Sequence, residues 1–243
     1  MGLFNMLFGK QKQPQAFCSV IVVAAGRATR MEGVDKVLCP LGGTPLLLHA
    51  LAPLQASELV DEIVIVTRED LMVTVGALCS QQGFSKVRRL VKGGEERMDS
   101  VQAGLQETDP AATLIAIHDG ARPFLTQEVL EETIQAAAQR GAAAPAIPVK
   151  DTIKRVQDGV VVETLERESL MAVQTPQIFD ADLIKGALAK AQQDQVALTD
   201  DCGAVERLGF PVYLTKGQEE NIKITTPADL LRGELILAER RGL

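Results

Sequence analysis

Three cations follow directly on an apolar run in VIVVAAGRATRMEGVDK, residues 20 to 36, where Arg27, Arg30 and Lys36 share one loop. Cations at the end of a buried strand suit an anion, because open parallel sheets bind ligands at the carboxyl ends of their strands. Ala24-Ala25-Gly26 opens the loop with almost no side chain, so a ligand could approach the backbone amides closely. From this loop alone, the alternative is a solvated turn whose Arg and Lys merely stay wet. No Gly-Lys-Ser/Thr follows, and the dinucleotide glycine fingerprint is not met. What remains is a backbone cradle with Arg30 and Lys36. Two such cations can neutralise a triphosphate as its charge redistributes, the service phosphoryl-type transfer needs most.

Three more segments carry reactive side chains. HDGARPF, residues 118 to 124, ends an apolar run with Asp119, a carboxylate suited to holding Mg²⁺ against phosphate oxygens. Arg122 could pair with a phosphate or with Asp119 itself, and His118 reads as an ordinary core residue. KGGEERMDSVQAG, residues 92 to 104, frees its backbone at Gly93-Gly94 and puts Ser100 on the opening turn of a helix. Such a turn can read a base edge, although Gly-Gly followed by acids is also just a loop ending in capping residues. NIKIT carries Lys223, and a β-prone stretch carries Thr152, Lys154 and Arg155 with Arg167 just beyond. Lysine in such a segment is commonly a solvated edge residue, so a role over the site stays open.

These groups need a scaffold, and the chain supplies a βαβα rhythm. Strand-like FCSVIVVAAG, EIVIVT, VRRLV, TLIAIHDG and AAAPAIPV alternate with helical stretches around LLLHALAPLQA, LMVTVGALCSQQ, RMDSVQAGLQET and TQEVLEETIQAAAQR. The expected fold is α/β: a doubly wound, mainly parallel Rossmann-like sheet with helices on both faces. Pro53 should kink or end the first helix. The rhythm breaks at residues 150 to 166, KDTIKRVQDGVVVETLE, where Asp158-Gly159 suits a tight hairpin turn. A lone hairpin has too little core, so this protruding β-arm should pack on something further, another subunit being one candidate. Beyond it the sequence predicts a helix at ADLIKGALAKAQQ, a short one after Thr199-Asp200, a strand PVYLT, and a closing helix from Pro227 capped by Thr226.

Composition narrows the class. At 243 residues and 46% hydrophobic, the chain can bury one sizeable α/β domain but is short for two. A net charge of -7 argues against non-specific nucleic-acid binding, so any anion site must be a local cluster. Cys18, Cys39, Cys79 and Cys202 are too scattered for a zinc site or a disulfide framework, and reduced buried thiols fit a cytoplasmic protein. The opening MGLFNMLFGKQKQPQAF lacks a basic leader and a long apolar run, so it reads neither as a signal peptide nor as a membrane span, and Met6 departs from the myristoylation pattern. Residues 1–16 are expected to form a flexible extension, and residues 17–243 a single domain with the arm at about 150–168.

In order, AAGRATRM with its downstream lysine, HDGARPF, PVKDTIKRV, QTPQ, TDD and NIKITTP resemble one family, 2-C-methyl-D-erythritol 4-phosphate cytidylyltransferase of the non-mevalonate isoprenoid pathway, from about Ser19 to Leu237. The resemblance implies a homodimeric enzyme that joins CMP from CTP to methylerythritol phosphate. It gives Arg30 and Lys36 to the transition state, and Ala24, Ala25, Gly26, Gly94, Glu95 and Ser100 to cytidine. Asp119 would bind Mg²⁺. Thr152, Arg122, Thr175, Arg167 and Lys223 would place the acceptor phosphate, with Arg167 and Lys223 counted among the catalytic groups. The arm would reach the other subunit. Departures from the common pattern are Ala28, Val37, Glu95, Gly120 and Asp201, none of which removes a cation or the metal carboxylate. Rival readings are a ribitol 5-phosphate cytidylyltransferase, a molybdopterin or other sugar-phosphate nucleotidyltransferase, a non-catalytic CTP-binding module, and a nucleotide-binding fold of the oxidoreductase type.

Overall fold

A computed structural model of the protein describes residues 16–26 and 35–242. The expected extension, except for Ala16, and Arg27, Ala28 and Arg30 lie outside the described residues. The strands with continuous apolar runs form the centre of the sheet. They are β1 (Cys18–Ala24), β4 (Glu62–Thr67) and β6 (Leu114–Asp119), and every residue of the last two is buried. Such runs fit strands covered on both faces. β1 pairs in parallel with β4 and with β6, and β4 pairs in parallel with β5 (Val87–Lys92).

Beyond β6 the sheet is mixed. The short β11 (Gln177–Asp180) runs antiparallel between β6 and β7 (Ala142–Pro148), while β10 (Met171–Val173) pairs antiparallel with the far end of β7. β12 (Tyr213–Lys216) lies parallel along the other edge of β7. Neither β10 nor β11 is visible as a periodic pattern, since each is only three or four residues long. A two-residue ribbon of β2 (Pro40–Leu41) and β3 (Thr44–Pro45) precedes the first helix.

Alternation along β1 divides the core. Val20 and Val22 face one layer with α1 (Leu46–Ala56), α2 (Met72–Gln81) and α4 (Gln127–Arg140), whereas Ile21 faces α3 (Arg97–Gln106), α5 (Ala181–Gln193) and α6 (Cys202–Arg207). The sheet is thus doubly wound. A third cluster, with Leu41, Phe124, Ile224 and Ile236, lies beneath α7 (Pro227–Arg240). Emptying a wholly buried position such as Leu51 would cost about 2–5 kcal/mol.

Local chemistry sets the ends. Thr226 caps α7 by accepting from the Asp229 amide, with Pro227 in the first turn. Pro53 does not stop α1 where it stands; the helix runs on to Ala56. In the last turn the missing N–H removes one hydrogen bond and no later turn depends on it. The arm is β8 (Lys154–Gln157) and β9 (Val160–Thr164), joined by Asp158 and Gly159 at φ 50° and 78°, the two left-handed positions of a tight hairpin. Among the described residues β8 and β9 pair only with each other, and Val156, Val160, Val161 and Val162 are all more than half exposed.

Candidate active site

Gly104 has no side chain where α3 crosses the sheet: a Cβ there would meet Ile21 and Val66 side chains at 2.6 and 2.9 Å. This close seat carries the first turn of α3 over the carboxyl ends of β1 and β4. The turn before it is equally tight. A Cβ on Gly93 would meet Ala25 Cβ at 2.3 Å, and one on Gly94 would meet Asp99 Cβ at 2.2 Å. Glu96 and Asp99 form a reciprocal capping box, so the acids do cap the helix, and Glu96 N donates to Asp99 at 3.0 Å. Ser100 closes the same turn: its hydroxyl accepts from Gly94 N and donates to Glu96 O, both at 3.2 Å.

β6 ends in the buried pair His118 and Asp119. His118 is wholly enclosed, with Nδ1 3.1 Å from the Thr175 hydroxyl and Nε2 3.3 Å from the Arg122 carbonyl. Burial pushes its pKa down to about 4, so it is a neutral core residue at pH 7. Asp119 differs. Its Oδ2 lies 2.8 Å from Lys223 Nζ and 3.7 Å from Arg122 Nε, and its Oδ1 lies 3.7 Å from Arg97 Nε. Burial alone would raise this carboxyl, but Lys223, Arg97 and Arg122 together hold it down at about 2.

Lys223 reaches that position because its segment is anchored on both sides. Asn221 and Ile224 are wholly buried, the Asn221 amide donates to Thr175 O at 3.1 Å, and Ile224 N donates to Ala121 O at 2.9 Å. Arg122 also donates to the Asn221 carbonyl at 2.6 Å. Lys223 itself stays 40% exposed, but this tether and its contact with Asp119 hold it over the cleft.

One cleft of about 1420 Å³ gathers most of the expected residues: Ala24, Ala25, Gly26, Lys36, Gly94, Glu95, Ser100, Asp119 and Lys223 all line it. Others lie elsewhere. Thr175 is buried beneath Asp119, donating from and accepting at its hydroxyl between the Asp119 amide and His118. Arg122 stands behind the same carboxylate. Thr152 and Arg167 are exposed on and beside the arm, where Arg167 donates to Lys150 O at 3.3 Å, and neither lines this cleft.

The chain belongs to the 2-C-methyl-D-erythritol 4-phosphate cytidylyltransferase family. The model of that family matches residues 18–239. A relative of that name from Halalkalibacterium halodurans is 45% identical over 223 residues, covering 91% of this chain and 97% of its own. Another from Symbiobacterium thermophilum is also 45% identical, covering 91% of this chain and 93% of its own. Among solved structures, 4-diphosphocytidyl-2C-methyl-D-erythritol synthase from Anaerococcus prevotii superposes with a TM-score of 0.83 at 31% identity, covering 92% of this chain and 99% of that one. The match to the Thermus thermophilus cytidylyltransferase has a TM-score of 0.73 at 28% identity, with 89% and 97% covered.

Of the departures from the common family pattern, Val37 and Glu95 line the cleft, while Gly120 and Asp201 have tight local settings. Gly120 sits in a tight seat, where a Cβ would meet Ala24 Cβ, Leu47 Cδ1 and the Val23 carbonyl at 3.2 Å each. Asp201 accepts from both terminal nitrogens of Arg97, at 2.9 and 2.6 Å. Arg97 and Arg68 are cleft residues that the motif reading passed over. Each had one signal in the sequence: a cation just beyond a strand's carboxyl end, as at Lys36 and Arg122.

Proposed function

We propose that this protein transfers CMP from CTP to 2-C-methyl-D-erythritol 4-phosphate, releasing pyrophosphate. The observation carrying this reading is that Lys36, Asp119 and Lys223, remote in sequence, line one cleft together with the Gly94–Ser100 turn. The acceptor phosphate oxygen attacks the α-phosphorus of CTP while pyrophosphate departs on the opposite side. No general base is required, since a phosphate monoester with a second pKa of about 6 is mostly dianionic near neutral pH. Repulsion between two polyanions is the obstacle. Lys36 and Lys223 offset it and hold the reacting oxygens in line, and Arg30 belongs to the same set in this reading.

The cytosine end is read at the α3 turn. The Ser100 hydroxyl spends its proton on Glu96 O and one lone pair on Gly94 N, which leaves one acceptor site. That site suits the exocyclic amine of cytosine and offers nothing to the carbonyl of uracil. Asp119 is the residue that would hold a divalent cation. Among the described residues no group of three or more His, Cys, Asp or Glu side chains is gathered for one. A single hard carboxylate completed by substrate phosphates fits Mg²⁺, which keeps few protein ligands. When bound, Mg²⁺ supplies charge neutralisation at the phosphates. The carboxylate must then be shared with, or released by, Lys223.

The arm supports a homodimer, because its exposed valines need a surface and its Thr152 and Arg167 stand away from their own cleft. In this reading they complete the acceptor site of the second subunit. The test is pyrophosphate release with Mg²⁺, CTP, UTP or GTP, and either 2-C-methyl-D-erythritol 4-phosphate or ribitol 5-phosphate. CTP with the first acceptor should be the fastest pair. Preference for ribitol phosphate, or CTP binding without release, would overturn the reading.

A further inference from the structure

Arg68 stands where β4 ends, next to the carboxyl end of β1 and on the wall of the cleft. Two carboxylates grip its guanidinium. Nε and Nη2 donate to Asp70 at 3.0 and 2.8 Å, and Nη1 donates to Asp35. The bidentate hold of Asp70 fixes the plane of the fork, so Nη1 has one direction left in which to point.

Asp35 is the residue before Lys36. Its carbonyl accepts from Leu38 N and Cys39 N at 2.9 and 3.0 Å, closing the short 3-10 turn Lys36–Leu38. On the other side of Lys36, Val37 is packed into the core at 5% exposure. Lys36 is therefore held from both neighbours, by a core contact after it and an ion pair before it.

We propose that Arg68 is a positioning residue, which by gripping Asp35 fixes the backbone from which Lys36 reaches the transferring phosphoryl group. This rests on the reading of Lys36 given above. The Arg68 and Asp35 side chains are 23% and 33% exposed, so the pair adds little to overall stability. Its effect lies in geometry, where a displacement of about 1 Å can cost on the order of a hundredfold in rate. A direct role is the competing account, since Arg68 also lines the cleft and a guanidinium can bind phosphate. Asp35 separates the two: an acid that merely neutralised a phosphate-binding Arg68 would be better lost than kept.

The experiment measures kcat, KM for CTP and Tm for wild type, Lys36→Ala, Arg68→Ala, Arg68→Lys, Asp35→Asn and the Arg68→Ala/Asp35→Asn double variant. Arg68→Ala and Asp35→Asn should each lower kcat by about ten- to a hundredfold with little change in KM or Tm. The double variant should be no worse than either single one, and Arg68→Lys should recover only part of the loss. A raised KM in Arg68→Ala with kcat intact in Asp35→Asn would overturn the proposal in favour of direct phosphate binding. Multiplying losses in the double variant, or full turnover in both singles, would also overturn it. Full turnover in Lys36→Ala would instead remove the reading of Lys36 on which the proposal stands.

Discussion

Arg97 donates to both carboxylate oxygens of Asp201, at 2.9 and 2.6 Å, and so its Nε remains 3.7 Å from Asp119. Asp201 is 1% exposed, and its backbone amide is itself bound by the Gln177 side chain at 2.9 Å. The pair joins the first turn of α3 to the start of α6. It also keeps a guanidinium beside the Asp119 carboxylate without letting it close on the oxygen.

Because the Asp201 charge is buried, breaking the pair from one side should be costly. Arg97→Met is expected to destabilise the protein by about 3–5 kcal/mol in urea unfolding, by leaving an uncompensated buried carboxylate. Replacing both, as Arg97→Met/Asp201→Leu, should restore much of that loss. A double variant as unstable as the single would show that the ion pair is not what the single variant disturbed.

His118 gives a pH signature whose sign follows from burial. Its folded pKa of about 4 lies below the ordinary 6.5, so between those values the unfolded chain takes a proton that the folded one refuses. The stabilisation is complete above about pH 6.5 and is lost as pH falls toward 4, by roughly 3 kcal/mol in all. Urea midpoints without added divalent cation should therefore drop from pH 7 to pH 5 in wild type and change much less in His118→Asn. Equal slopes in the two proteins would count against the assignment.

All four cysteines are buried. Burial pushes the Cys18 and Cys79 thiols up to about 12 and 11, and raises Cys39 and Cys202 as well. Since the thiolate is the reactive form, Ellman's reagent at pH 8 should react slowly with the native protein and with four thiols after denaturation. Rapid native reaction would mean that the core around β1 opens readily.

Gly94→Ala must displace Asp99 or the turn itself, because the added Cβ would lie 2.2 Å from Asp99 Cβ. The expected result is a rise in KM for CTP of about tenfold or more, together with a lower Tm, from a base-reading turn pushed out of place by around 1 Å. Among the described residues, a Cβ on Gly26 meets no heavy atom within 4 Å, so Gly26→Ala should leave Tm unchanged and serve as the control for fold. Identical behaviour of the two variants in calorimetry would deny the turn its special packing.

Much of this architecture is legible in the chain because its decisive signals are local. The all-buried strands announce themselves as β-branched runs, Asp158-Gly159 marks the arm, and Thr226-Pro227 marks a helix start. Lys36 and Asp119 each follow a strand signal, whereas spacing leaves Lys223 open and only the family resemblance points to it. What stayed hidden is long-range. β11 is a four-residue strand whose place between β6 and β7 depends on partners more than thirty residues away. Arg97 and Asp201 are 104 residues apart, and Arg68 and Asp35 are 33 apart. No periodicity records such pairings. Local pattern also leaves the end of α1 open by three residues, since the cost of Pro53 depends on how much helix follows it.

In the proposed reaction Lys36 serves the phosphorus under attack and Lys223 the incoming acceptor phosphate, both from one cleft, and turnover measures this most directly. Pyrophosphate release from saturating CTP, Mg²⁺ and 2-C-methyl-D-erythritol 4-phosphate should fall by about a hundredfold or more in Lys36→Ala, and comparably in Lys223→Ala, with Tm preserved. Near wild-type release in either variant, folded and saturated, would contradict the account.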